Sequence, residues 1–273
     1  MMTTGPGYGT LDRDYALRLA TTPPEDDGPI WMVNLMSYRD TARYTDGRNE
    51  SISGREADDR YAPLDVLADI GAEPVFVAEV DTQLLGEEPR WDRVGVVKYP
   101  TRRSFIEMQS RPDFQEKHVH KEAGMASTIV AGCVPLADPS AEIDASALPA
   151  WSDVPHPPTD GDGPVTLLHL IRFNPGGAEA DMVEYQRHAG EVAVPHGVRI
   201  SGWFGVEGTI IGDGRTWDQA RFNAFPSKEA FMAVALDPGR LEAQRSHREV
   251  AIADTYTLIL RPVIDRLADS REA

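Results

Sequence analysis

The sequence predicts an α+β protein in which two tandem β-α-β-β-α-β repeats pack sheet to sheet as a barrel. Three observations favour this class. Short motifs recur in the same order in both halves of the chain, a segment of linker composition separates the halves, and each half accommodates the same order of strands and helices. Recurring motifs at a nearly fixed spacing are the signature of repeated units, so each half is expected to form one unit.

Three motifs identify the repeat. The matched segments are Gly28-Pro29 with Gly163-Pro164, Trp91-Asp92 with Trp217-Asp218, and His120-Lys121-Glu122 with His247-Arg248-Glu249. The spacing between partners shortens by nine residues after the first motif and lengthens by one after the second. We expect loops to absorb this drift because loops tolerate insertions.

The motifs divide the chain into four regions. Residues 28–136 and 163–273 are the two repeats, residues 1–27 precede them, and residues 137–162 separate them. The separating segment is rich in Pro, Asp and Ser and has no apolar period, which is typical of a linker. The first 27 residues are interpreted as either a packing strap or a mobile arm.

Each repeat begins with a strand and a helix. Apolar and aromatic runs predict the first strands at 30–38 and 165–173. Apolar residues at helical spacing predict helices at 54–69 and 179–194. Glycines follow both, Gly71 and Gly197, at the position where a helix-ending glycine belongs.

The rest of each repeat is predicted as two strands, a helical region and a last strand. The strand ranges are 74–81, 93–99 and 127–134 in the first repeat and 198–206, 219–225 and 255–261 in the second. Thr101 and Ser227 are candidate N-caps of the helical regions, which Pro112 and Pro238 interrupt. This order is that of the ferredoxin-like unit, an antiparallel sheet with both helices on one face.

Composition and charge exclude several function classes. With 27 Lys+Arg against 44 Asp+Glu the net charge is −17, which argues against binding nucleic acid or an anionic membrane. No apolar run is long enough for a transmembrane helix, and the N-terminus lacks the features of a secretory signal, so a cytoplasmic location is predicted. The single cysteine, Cys133, and the scattered histidines offer no tetrahedral ligand set, so neither a metal nor a haem is expected.

A series of residues in the first repeat resembles the dimeric α+β barrel superfamily, and the second repeat follows it more loosely. The residues are Tyr61, Gly71-Ala72-Glu73, Trp91-Asp92-Arg93-Val94, Tyr99-Pro100-Thr101-Arg102, Phe105, Met108, Pro112-Asp113-Phe114 and His120-Lys121, with Phe225-Pro226-Ser227-Lys228 and His247-Arg248 in the second repeat. The superfamily includes antibiotic-biosynthesis monooxygenases. The fused two-repeat organisation is most similar to oxygenases that open a ring in angucycline-type polyketide biosynthesis. The superfamily also includes isomerases, cyclases, haem-degrading enzymes and non-catalytic members, so the function must be argued from the site.

Strand alternation predicts which side chains face the barrel interior. In the strand at 219–225 the mixed face carries Arg221, Asn223 and Phe225, and this face is expected to line the barrel. In the first repeat the same argument directs Arg93 inward and places Val94 and Val96 on the helix side.

The first strands each carry one polar residue at matching positions, Asn34 and His169. They are interpreted either as satisfied core residues or as ligand-binding residues. His169 is the better catalytic candidate because imidazole exchanges a proton near neutral pH. Trp203 has no counterpart in the first repeat and is a candidate for stacking on an aromatic ligand, although a core tryptophan is the simpler interpretation.

The sequence thus suggests an oxygenase that acts on a polycyclic aromatic hydroquinone or phenol. In this hypothesis His169, Arg221 and Asn223 act in catalysis, and Asn34, Arg93, Trp203 and Phe225 bind the substrate. The cofactor would be dioxygen alone, or reduced flavin supplied by a partner reductase. Two alternatives stay open: a non-redox cyclase, dehydratase or isomerase, and a binding protein whose barrel is a filled core. A homodimer, in which sheets pair between chains, is the alternative to pairing within one chain.

Overall fold

The computed structural model describes residues 6–137, 148–175 and 178–272. The predicted linker therefore lies partly outside the described residues, as do residues 1–5 of the N-terminal region. The strands are β1 (Thr10–Leu11), β2 (Ile30–Tyr38), β3 (Glu73–Leu85), β4 (Arg93–Tyr99), β5 (Met125–Pro135), β6 (Val165–Phe173), β7 (Arg199–Gly212), β8 (Gln219–Phe225) and β9 (Ile252–Asp265).

The helices follow the predicted order. They are α1 (Arg13–Thr21), α2 (Gly54–Tyr61), α3 (Leu64–Asp69), α4 (Arg102–Gln109), α5 (Pro112–Gly124), α6 (Ala178–Ala193), α7 (Lys228–Ala235), α8 (Pro238–Ala243), α9 (Glu249–Ala251) and α10 (Leu267–Glu272). A 3₁₀ turn at Val194–His196 extends α6, and a π-helical turn at Gln244–Arg248 joins α8 to α9.

The predicted N-caps and helix-ending glycines are confirmed, but one break within a predicted helix was not expected. Thr101 and Ser227 accept hydrogen bonds from backbone N–H groups in the first turns of α4 and α7. Gly71 and Gly197 adopt positive φ angles of 70° and 82° after their helices. The single helix expected at 54–69 is divided into α2 and α3, because Pro63 disfavours helical backbone at the residue before it.

Eight antiparallel strands close into a barrel, as the sequence predicts. Their order is β7-β5-β2-β4-β3-β9-β6-β8, and β8 pairs with β7 to complete the circle. The strands of the first half of the chain, β2 to β5, are contiguous, and so are those of the second half, β6 to β9. The halves join edge to edge through β3–β9 and β5–β7.

The barrel interior is filled with apolar side chains. One buried cluster takes members from all eight barrel strands, among them Val33, Phe76 and Phe222. Phe76 and Phe222 lie on non-adjacent strands, and their ring centroids are 5.4 Å apart across the interior. Packed apolar side chains thus occupy the barrel interior.

The prediction that the mixed polar and apolar faces of β4 and β8 line the barrel interior is wrong. Ala220 and Phe222 belong to the interior cluster, as do Val94 and Val96 of the first half. Arg221, Asn223 and Phe225 therefore point outward toward the helices, because successive residues of a strand face opposite sides. A closed barrel excludes water from its interior and selects apolar side chains there, whereas the layer beneath the helices retains gaps for polar groups.

Residues before the first repeat form a strap across the first half. β1 pairs with β7, and Tyr15 and Leu19 of α1 pack with the helix-side core of the first half. The Tyr15 ring lies against Gly132 and Gly208, where a Cβ atom would collide with it. These two glycines allow the strap to approach the barrel wall.

Candidate functional site

Four residues form a row across the outer face of the second half. Strand register places Thr257 opposite His169, His169 opposite Arg221, and Arg221 opposite Trp203. This set, called the polar row below, runs across β9, β6, β8 and β7. Three residues predicted from the sequence, His169, Arg221 and Trp203, are thereby brought together.

His169 is held as a neutral imidazole. Its Nδ1 lies 3.2 Å from the hydroxyl oxygen of Thr257. Burial lowers the pKa of His169 well below its usual value, and the charges of Arg248, Arg240 and Arg221 lower it further. The residue as a whole is nevertheless half-buried rather than fully buried. A neutral, partly accessible imidazole can accept a proton from a bound ligand.

Arg221 is a buried cation with a defined orientation. Its side chain is 5% exposed, and the guanidinium carbon lies 4.0 Å from the centroid of the Trp203 ring. Nε and Nη2 donate to Oε1 of Gln219 at 2.8 and 2.5 Å. The Gln186 amide oxygen, once the amide is rotated, accepts from both terminal nitrogens at 3.1 Å. Trp203 and the two glutamines thus position the guanidinium.

Two further arginines lie near the polar row and were missed by the sequence argument. Arg240 donates to the hydroxyl oxygen of Tyr185 at 3.0 Å and to the backbone of Ala235 at 3.3 Å. Arg248 is 6% exposed, and its Nη2 is buried without a hydrogen-bond partner. In the sequence Arg248 served only to identify the repeat, and the one-residue spacing shift at its motif is the signal that could have drawn attention to it.

The three arginines, called the arginine cluster below, form no ion pair with a carboxylate among the residues whose side chains are described, although the charge of Glu249 acts on Arg248. Burial and the neighbouring Arg248 lower the pKa of Arg221 to about 9, which leaves it charged at neutral pH. Burial and Arg240 also lower the pKa of Arg248. Uncompensated buried cations are costly, and an anionic ligand would supply the missing charge.

A surface cleft reaches this region. Its volume is about 600 Å³, and Arg248 forms part of its lining. The lining residues are Leu85, Gly86, Glu87, Glu88, Arg215, Arg248, Glu249, Ile252, Ala253, Asp254 and Thr255. Arg248 is thus the member of the arginine cluster that lines the cleft, and its charge also lowers the pKa of His169.

The other predicted site residues are separated from the polar row or occupy structural positions. Asn34 lies opposite Gly95 in the first half and donates to the backbone oxygen of Met32 at 2.9 Å. Arg93 is engaged in ion pairs with three carboxylates of the first half. Phe225 packs on Phe231 in a helix-side core. Asn223 is half-buried two residues beyond Arg221 on the same face.

Within residues 6–137, 148–175 and 178–272, no three His, Cys, Asp or Glu side chains lie in an arrangement that could hold a metal ion. Over the same ranges no helix has the length and apolar character needed to cross a bilayer.

Comparison with solved structures shows similarity to an anthrone oxidase-like protein. The identity is 12%, the TM-score is 0.50, and the match covers 89% of this chain and 97% of that one. The chain is also similar to a mutant chlorite dismutase from Candidatus Nitrospira defluvii (11% identity, TM-score 0.49, 96% and 100% coverage). A protein of unknown function from Rhodopseudomonas palustris matches at 26% identity and TM-score 0.42, over 48% of this chain and 99% of that one. No family model and no curated protein matches the chain. At these identities the likeness concerns the fold.

Proposed function

We propose that the protein is an oxygenase that binds the phenolate form of a polycyclic aromatic phenol or hydroquinone at the polar row. The observation that carries this proposal is the position of His169, whose pKa is lowered by burial, beside buried guanidinium groups that form no ion pair with a carboxylate among the described side chains. A base next to fixed positive charge favours removal of a proton from a weak acid and stabilises the resulting anion.

In the proposed reaction His169 accepts the phenolic proton and Arg221 stabilises the phenolate oxygen. The electron-rich anion then reduces dioxygen. When a phenol is oxidised to a quinone, one oxygen atom enters the ring and the other leaves as water, so the substrate and dioxygen balance without external electrons. Reduced flavin from a partner reductase is the alternative electron source for a more oxidised substrate.

The role of Trp203 differs from the one expected from the sequence. Its ring is 8% exposed and is covered by the guanidinium of Arg221. We therefore assign Trp203 to positioning Arg221 rather than to stacking on the substrate. Asn223 retains its proposed role as a polar contact on the same strand face.

The proposal also includes the tandem arrangement of the two repeats and the class of the substrate. The strand order within each half, together with the repeated motifs, supports two ferredoxin-like repeats in tandem. The anthrone oxidase-like name of one similar structure is compatible with an aromatic polyketide substrate. Oxidative ring opening of an angucycline-type compound is the specific reaction we propose within this class.

A non-redox reaction is the second candidate, because a neutral imidazole beside cations can also form an enolate during cyclisation or isomerisation. Oxygen uptake distinguishes the two reactions. The third possibility, a binding protein, is favoured by the filled barrel interior. It would bind the same anion at the polar row without turnover.

The proposal is tested with His169→Ala and a matched control, His118→Ala, which removes a part-buried histidine of the first half. Oxygen uptake would be followed with naphthol and anthrone as substrates. Loss of the general base is expected to lower turnover about 10²–10⁴-fold. The control should retain turnover, and circular dichroism should show both variants folded. Near-full activity of folded His169→Ala would show that His169 is a core residue.

A further inference from the structure

We infer that Arg248 is a carboxylate-binding residue and that the ligand of the second half is an aromatic carboxylate. This inference rests on the proposed function in one respect, because it assumes that an aromatic ligand binds at the polar row. It assigns a role to a residue that the proposed reaction does not use, and it adds a second anionic group to the ligand.

The guanidinium of Arg248 lacks the hydrogen bonds that buried arginines normally have. Its Nη2 is buried and has no hydrogen-bond partner among the described residues, and the residue is only 6% exposed. Arg215, which lines the same cleft and is less buried, donates to Asp213, Asp254 and Tyr256. We assign this vacant donor to an acceptor on a bound ligand.

The surroundings favour a carboxylate as this acceptor. A guanidinium presents parallel N–H groups that match the two oxygens of a carboxylate. Arg240 and Arg221 lie close enough to Arg248 to share the charge. Glu249 is the carboxylate that acts most directly on Arg248, and it forms no ion pair with it. Aromatic side chains nearby, Tyr185 and Phe173, would contact an arene.

The backbone explains why only the second half has this site. Residues 238–251 are one residue longer than their counterpart α5, residues 112–124, and the extra residue is accommodated in the π-helical turn that ends at Arg248. Such turns often occur at functional sites. The counterpart of Arg248 is Lys121, whose ammonium lies 5.2 Å from the ring centroid of Tyr61 in an uninterrupted α-helix.

The entrance differs in charge from the site. Glu87, Glu88 and Glu249 line the cleft, and Asp254 is paired with Arg215. An acidic rim disfavours highly charged anions, so a singly charged carboxylate should bind better than a phosphate. This expectation separates the two anion classes in the experiment.

The test is a calorimetric titration of the full chain with benzoate, benzamide and phenyl phosphate, carried out in the absence of oxygen. We expect benzoate to bind more tightly than the other two. Arg248→Gln should weaken benzoate binding by about 10- to 100-fold, because a charge-assisted hydrogen-bonded pair is lost. Arg248→Lys should lie between Arg248→Gln and the wild type, since it keeps the charge and loses the paired geometry.

The matched control is Lys121→Gln, which should leave benzoate binding unchanged. The inference is overturned by equal affinity for benzoate and benzamide, by tighter binding of phenyl phosphate, or by unchanged affinity in folded Arg248→Gln. A benzoate dissociation constant weaker than about 10 mM for the wild type would overturn it as well. Absence of oxygen uptake with naphthol would refute the proposed oxygenase activity and leave this result intact.

Discussion

The two halves of the barrel differ in the partners of their buried arginines. In the first half Arg93 donates to Asp58, Asp59 and Glu79 at 3.0, 2.9 and 3.3 Å, and Asp58 also accepts from the hydroxyl of Tyr38. The second half gathers the arginine cluster without a described carboxylate partner. The same difference appears in the strand register, because the first-half row equivalent to the polar row is Val130, Asn34, Gly95 and Val77.

This contrast indicates a division of roles. Compensated charge stabilises a fold, whereas uncompensated charge is retained where a ligand completes it. On the proposed function, the ion pairs of Arg93 contribute stability to the first half, and the second half gives up some stability where the ligand binds. Substitutions that are equivalent in chemistry should consequently have opposite effects in the two halves.

The largest expected effect comes from replacing one arginine in each half by methionine. Arg93→Met leaves the buried carboxylate of Asp58 without its cation and should lower the free energy of unfolding by about 3–5 kcal/mol. Arg248→Met removes an uncompensated cation and should raise it by about 1 kcal/mol. Urea unfolding followed by circular dichroism measures both. Destabilisation of similar size in the two variants would contradict the division of roles.

Acid should destabilise the protein through one buried histidine of each half. Burial, followed by the charge of Lys121, lowers the pKa of His118 to about 4, and the pKa of His169 is lowered well below 6.5. On acidification the unfolded chain therefore takes up these protons first, and stability falls as the pH drops below about 6.5. Each histidine contributes about 1.4 kcal/mol per pH unit in its window.

The pH ranges over which the two histidines lower the stability differ, and substituting each histidine in turn separates them. His118→Gln should flatten the dependence of stability on pH only between about 6.5 and 4, whereas His169→Gln should flatten it to lower pH as well. Urea unfolding at several pH values supplies the curves. A curve unchanged by His169→Gln would show that His169 has the same pKa in the folded and the unfolded chain.

The smallest expected effect concerns the π-helical turn. Deleting Ser246, an exposed residue of this turn, should restore an α-helix like α5 and change the free energy of unfolding by no more than about 1 kcal/mol. Benzoate binding should weaken about tenfold, or about 1.4 kcal/mol, because Arg248 is rotated away from the cleft. Full retention of binding would show that the turn does not position Arg248.

Several features of this structure can be predicted from the sequence alone. The order of strands and helices, the caps at Thr101 and Ser227, and the barrel follow from apolar periodicity and turn residues. These are local signals, and local signals are what a sequence displays most directly. The pairing of His169 with Arg221 also becomes predictable once the strand order is known.

Two features could not be predicted without the structure. They are the face of β8 that lies inside the barrel and the arginine cluster. Alternation identifies two faces of β8 but does not say which one is inside, and the apolar face of Ala220 and Phe222 would suit either position. Arg248 is a surface-type residue whose burial depends on a one-residue insertion in a helix. The spacing shift at its motif was expected to fall in a loop, and this expectation was wrong.

Closure of the barrel within one chain has a consequence for its synthesis. β3 pairs with β9, although these strands are separated by most of the sequence. A ribosome adds roughly 180 residues between them, which takes roughly 10–40 s at ordinary elongation rates. During that interval the apolar inner face of the first half, with Val33 and Phe76, is not yet covered by the strands of the second half. Two nascent chains held close together could pair these faces with each other, so the order of emergence makes domain-swapped dimers the characteristic misassembly of this fold.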